Sequence, residues 1–277
     1  MTSPPTNPDF PFREEFAVAK LKPALANAAW LVTSPFVPNA VLVGIHFILA
    51  AFGVVIMILS GINEGGPKWF VFLTNWGYTH IVLSFIGFTA LGIRQLRLRK
   101  SLISQKQSAV EVDMALAEWH WYHSMLQVIY TNALDLSIMI TILYWTLLKP
   151  KGTFLDICVH ALNAVMTLLQ LFLCNVKLNL LHFVYPMTCA AVYLIFSAVY
   201  TVLGGRNTEG EPFIYSTLDW NNKPTSAALL SAGACFLGVP AMHGLAYGIM
   251  RARVAIARRS YGPATASPES HAMDNVV

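Results

Sequence analysis

Charge is scarce in this sequence. Only 12% of its 277 residues are Asp, Glu, Lys or Arg, about half the share that a soluble chain carries. With 56% hydrophobic residues and a mean hydropathy of +0.55, too little polar surface remains to wet a globule. A soluble enzyme, a disordered chain and a coiled coil are excluded. The formal net charge is +4, yet the basic residues form no stripe interleaved with aromatics, so nucleic acid is not an expected partner. Asn-x-Ser/Thr is absent throughout, and N-glycosylation is not expected. The four cysteines (Cys158, Cys174, Cys189, Cys235) all fall inside apolar runs, which argues against a disulfide framework. The opening residues are polar and carry Pro4, Pro5, Pro8 and Pro11. Without a cleavable signal there, the first long apolar run is expected to act as the insertion signal. No internal repeat supports a transporter built from inverted halves.

What is present is a series of apolar runs, each near the ~20 residues that cross a bilayer. Six are expected: Asn39 to Ser60, Trp69 to about Gly92, Trp121 to Leu148, Thr153 to Asn175, Leu178 to Leu203, and from after Pro224 to about Met250. The expected fold is an all-α integral membrane bundle of six transmembrane helices, spanning residues 39–250. Residues 1–38 form a tail with an apolar stretch (Leu25 to Val37) that reads as an interfacial helix or a segment packed on the bundle. Residues 251–277 read as a basic and then disordered tail. Thirteen Lys and Arg fall on the side of the termini, among them Arg94, Arg97, Arg99 and Lys100. Five fall on the other: Lys68, Lys149, Lys151, Arg206 and Lys223. The positive-inside rule then places both termini in the cytosol. The location is a plasma membrane or endomembrane, and homo-oligomerisation stays open.

Ionisable side chains within a bilayer are costly and mark sites more often than surface charges do. Thr74 lies roughly 8 Å, and His160 roughly 10 Å, below the same non-cytosolic boundary at ~1.5 Å per helical residue. The two can therefore meet from different helices. A hydroxyl becomes a nucleophile when a neutral imidazole takes its proton, and a third group normally holds that imidazole in the right tautomer. Asp156, four residues before His160, shares its helix face. Asn163, or Tyr78 one turn below Thr74, could donate to an oxyanion. The depth suits a lipid ester. Against this stands a plainer reading, in which the threonine bonds its own helix and the histidine bridges helices. Asp135 is expected to be a buried partner of His80 or His46. His120-x-x-His123 lacks the neighbours of a metal box. His46, His182 and His243 reach similar depth near the cytosolic face and offer a rival reading as haem ligands, but no opposed pairs appear on both halves. No cofactor or metal ion is expected.

Three segments resemble a known family. Phe72-Leu73-Thr74-Asn75-Trp76-Gly77 resembles the FLTNWG segment of rolling stone-like membrane proteins. His160-Ala161-Leu162-Asn163-Ala164-Val165 resembles their HxLNxV segment, and Gly204-Gly205, Ile214-Tyr215 and Leu218-Asp219-Trp220 resemble the GG…IY…LDW loop. These markers cover most of the chain between Trp69 and Trp220, in the family's order. The family is named for a member implicated in myoblast fusion, and it is similar to the androgen-induced-gene family of intramembrane hydrolases of fatty acid esters of hydroxy fatty acids. That likeness implies a catalytic threonine at Thr74 and a histidine at His160, whereas Asp156 and Asn163 come from helix spacing alone. The residues after Thr74 and His160 depart from the hydrolase pattern. The leading expectation is a threonine-dependent lipid-ester hydrolase; the alternative is a non-enzymatic protein of cell fusion or a scaffold.

Overall fold

The computed structural model describes residues 18–22, 27–148 and 150–261, and among them no strand occurs. The early prolines, Leu25 and Ala26, and the tail after Tyr261 lie outside the described residues. Helix α1 spans Asn39–Asn63, begun by Pro38 and ended by Glu64. The two residues after Glu64, Gly65 and Gly66, adopt φ of 78° and 72°, a left-handed conformation that glycine takes without steric cost. After a 3-10 turn over Gly66–Val71, α2 runs Leu73–Ser104. At ~1.5 Å per residue it reaches about 48 Å, longer than the hydrocarbon layer, so its arginine-rich end passes beyond it. A Ser108–Glu111 capping box starts α3, Ala109–Ala117. Next come α4 (Trp121–Leu147), α5 (Phe154–His160), α6 (Leu162–Leu173) and α7 (Val184–Val202). The chain ends in α8 (Pro224–Gly233), which passes through a π turn at Ala234–Gly238 into α9 (Val239–Tyr261).

Five helices are long and apolar enough to cross a membrane, or six if the bent pair α5–α6 counts as one. Their outer faces carry bare hydrophobics such as Phe47, Ile48, Val192 and Ile195, more than a water-facing surface tolerates. α4 is the hub: 72% of its apolar window is buried, against 22–39% in the other four long helices. Its polar residues Gln127, Thr131, Asn132, Asp135 and Ser137 thus face protein, not lipid. Ala28, Leu31 and Val32, within the stretch read as interfacial, are buried, and Leu31 and Val32 share a core cluster with Leu42, Phe88 and Leu126. That stretch packs on the bundle.

The expected fourth span is not continuous. It bends by 41° at Ala161, between α5 and α6. The cause is local. In an unbroken helix the Ala164 N–H would donate to the His160 carbonyl. Here the Asn163 side chain accepts from Ala164 N–H at 2.7 Å, and the Trp145 indole donates to the His160 carbonyl at 3.2 Å. Both orphaned groups are satisfied and the helix opens. Such breaks within membrane proteins occur where neighbouring protein or a cavity can take up the freed backbone.

Arg253, read from sequence as one more orientation charge, is a core residue. It is 2% exposed and its guanidinium donates to the carbonyls of Leu171 (2.8 Å), Val176 (3.0 Å) and Cys174. α9 thereby caps the end of α6.

Candidate active site

The break at Ala161 sets His160 at the end of α5, facing the first turn of α2. The Thr74 hydroxyl and His160 Nε2 are 3.3 Å apart. His160 Nδ1 lies 3.0 Å from Asp156 Oδ1 and 3.1 Å from the Asp156 carbonyl. Two acceptors at Nδ1 place the ring proton there, which leaves the Nε2 lone pair directed at Thr74. That is the tautomer a general base needs.

Asp156 is itself held on all sides. The Lys151 and Gly152 N–H groups donate to Oδ2 at 3.0 and 2.9 Å, and the Tyr144 hydroxyl donates to Oδ1. Gly152 adopts φ 68°, which turns the loop amides back toward the carboxylate. The Tyr144 ring also stacks on the His160 imidazole, with centroids 3.5 Å apart and planes 8° from parallel. One tyrosine therefore fixes both the carboxylate and the plane of the base.

Sequence reasoning brought Thr74, His160 and Asp156 together, and the structure does so too. It does not bring Asn163 to them. The Asn163 oxygen is committed to the Ala164 N–H and to the Thr141 hydroxyl at 2.9 Å, so its part is to break the helix. The Tyr78 hydroxyl lines neither of the cavities described below and is buried without a partner, its ring in a cluster with Ile81, Ala133 and Cys158. Asp135 was expected beside His80 or His46. It pairs instead with His243 across the α4–α9 interface, Oδ2 to Nδ1, at 2.7 Å. Spacing along one helix cannot tell which neighbour a residue faces, and Asp135 sits on the side of α4 opposed to α9. His80 bonds the Trp76 carbonyl and Asn132, and His46 bonds Gln170 at 2.6 Å. Of the three histidines weighed as haem ligands, His182 and His243 meet around Asn179 and His46 lies elsewhere.

Two cavities converge on Thr74. One is walled by hydrophobic side chains that include Leu73, Ile140, Leu143, Ala190 and Leu194. The other is a wider vestibule bounded by Glu64, Lys151, Asp156, His160, Glu209 and Glu211. Thr74, Tyr144 and Tyr215 line both. The loop between α7 and α8 roofs the vestibule, tied down by Lys68 to the Asn207 carbonyl at 3.0 Å and by the exposed pair Lys151–Glu209 at 3.3 Å. Glu64, just past the end of α1, accepts from Asn75 at 2.8 Å. Burial raises its carboxyl above the ordinary value, against the opposing pull of Asn75, Ser60 and Lys151. Nothing in the sequence marked Tyr144 or Trp145 as site residues, and an aromatic near a span end ordinarily reads as one that favours the headgroup layer. Tyr215 was set apart only by the IY motif around it.

Fold and site together define a multi-pass membrane protein with a hydroxyl–imidazole–carboxylate triad at the junction of an apolar and a polar cavity. The family model described as "Protein rolling stone" matches residues 33–270, and the chain belongs to that family. It is similar to Protein rolling stone of Drosophila melanogaster, 27% identical over 165 residues, covering 56% of this chain and 57% of the fly protein. The match thus spans little more than half the length of that relative. No solved structure matches.

Proposed function

We propose that the protein is an intramembrane hydrolase of lipid esters, with Thr74 as nucleophile, His160 as base and Asp156 as the group that orients it. The observation that carries this reading is the position of Thr74 where the apolar cavity meets the vestibule. The apolar walls of the first suit an acyl chain and the polar rim of the second a water-exposed alcohol portion, which puts the ester carbonyl beside the threonine. Thr74 Oγ1 would bond to that carbonyl carbon while His160 Nε2 takes the hydroxyl proton. Collapse breaks the ester C–O bond, and His160 returns the proton to the leaving alcohol. Water then attacks the acyl-threonine by the same route in reverse, releasing a fatty acid and restoring Thr74. The 3.3 Å separation of the pair is within what a resting site shows before substrate tightens it. In this reading both termini are cytosolic and the vestibule opens on the opposite face, where the Lys and Arg count is low.

The test is labelling of the purified protein by a long-chain fluorophosphonate. Wild type is expected to be labelled on Thr74, and Thr74→Ala and His160→Ala to be unlabelled while keeping their thermal unfolding. An inert wild type with an intact fold would return the protein to a non-enzymatic membrane role such as a scaffold.

A further inference from the structure

The triad supplies a nucleophile and a base, but no donor for the negative oxygen that forms when an ester is attacked. Asn163 and Tyr78 line neither cavity. Tyr215 stands at the right place. It lies on the loop between α7 and α8, at the entry to a 3-10 turn over Ser216–Leu218, and lines both cavities. Its phenol oxygen accepts from the Leu73 N–H at 2.9 Å, and the Thr74 side chain and N–H lie beside the same oxygen. These two N–H groups belong to the first turn of α2, where no helical carbonyl can reach them, and the phenol oxygen takes that place for Leu73. The positive end of a 32-residue helix therefore faces the threonine. The ring is fixed edge-on against Phe72, with centroids 5.8 Å apart.

We infer that Tyr215 is a catalytic residue, the side-chain donor to the oxyanion formed at Thr74, held in place by the first turn of α2. The inference rests on the hydrolase reading above. As the Thr74 oxygen bonds to the carbonyl carbon, the carbonyl electron pair moves onto its oxygen, and the phenol donates a hydrogen bond to it without giving up its proton. The Leu73 N–H, by bonding to the phenol oxygen, polarises the O–H and strengthens it as a donor. Burial raises the phenol above its ordinary value and keeps it protonated. A preorganised donor costs no rearrangement at the moment of reaction.

The experiment measures the second-order labelling rate of the full-length protein with the long-chain fluorophosphonate, whose phosphoryl oxygen gains charge as an ester carbonyl does. Tyr215→Phe keeps the ring packing and removes only the hydroxyl. Its rate is expected to fall about 10²–10³-fold, with the half-saturating probe concentration and thermal unfolding close to wild type. Trp220→Phe releases the same loop from Ser197, bonded at 3.1 Å, and is expected to label at the wild-type rate. A difluorotyrosine at position 215 preserves shape and is expected to move the alkaline limb of the pH–rate profile to lower pH. Tyr215→Phe labelling like wild type, while Thr74→Ala is dead, overturns the inference and leaves the hydrolase reading standing. Equal slowing by Tyr215→Phe and Trp220→Phe overturns it in favour of loop anchoring. An inert wild type overturns both.

Discussion

Replacing Asp156 by Asn separates the carboxylate's two jobs. Four donors reach that group: the Tyr144 hydroxyl, the Lys151 and Gly152 amides and His160 Nδ1. A carboxylate accepts from all of them, whereas an amide offers one oxygen and one NH₂. With its oxygen toward His160 and Tyr144, the new NH₂ faces two loop N–H groups and leaves both without an acceptor. With its oxygen toward the loop, the NH₂ faces His160 Nδ1 and forces the imidazole proton onto Nε2, where it blocks proton transfer from Thr74. The first orientation loses about 3 kcal/mol of stability for two unmet donors, which is on the order of 6–12 °C in unfolding midpoint for a domain of this size. The second costs about four decades in rate, or roughly 5 kcal/mol of barrier. The flip satisfies the loop, so the rate carries most of the effect. Labelling and turnover measured well below the midpoint of the variant should thus fall about 10³–10⁴-fold, more than unfolding explains. A rate within tenfold of wild type would refute the claim that Asp156 sets the tautomer.

Two further outcomes follow from groups outside the triad. Glu64 has its folded value raised by burial, so the native state binds more protons than the unfolded chain as pH climbs from its ordinary value of 4.5. Stability is lost across that window and stays lost above it; Glu64→Gln is expected to unfold at a higher temperature than wild type at pH 7 and at the same temperature at pH 4, read by thermal scans in detergent. Arg253→Ala strands the buried carbonyls of Leu171, Cys174 and Val176 and should lower stability by about 3 kcal/mol or more, with a drop of at least 5 °C the outcome to look for and an unchanged midpoint the one that denies its capping role.

How far the sequence can be read depends on which coordinate of a helix is in question. Depth follows from a fixed rise per residue, so the meeting of Thr74 with His160 and Asp156 was legible, as were the apolar spans. Rotation is set by packing, and the partner of Asp135 could not be told from its spacing to His80 and His46. Asn163 was judged by what its amide can donate, when its oxygen was the working atom. The break after His160 needs that oxygen and the Trp145 indole at once, two residues 18 positions apart on different helices. Arg253 counted as an orientation charge because a positive residue near a span end is usually that; its burial depends on carbonyls freed at the end of α6.

The pairing of Asp135 with His243 spans 108 residues of chain, and this separation governs how the protein is made. Ribosomes add about 5–20 residues per second, so α4 enters the membrane roughly 5–20 s before the histidine that meets its acid exists. Until α9 arrives, the hub helix carries Asp135 without its partner. Biogenesis must therefore keep α4 sheltered, in water or against the insertion machinery, and a chain cut short before His243 carries an unanswered acid that membrane quality control can recognise.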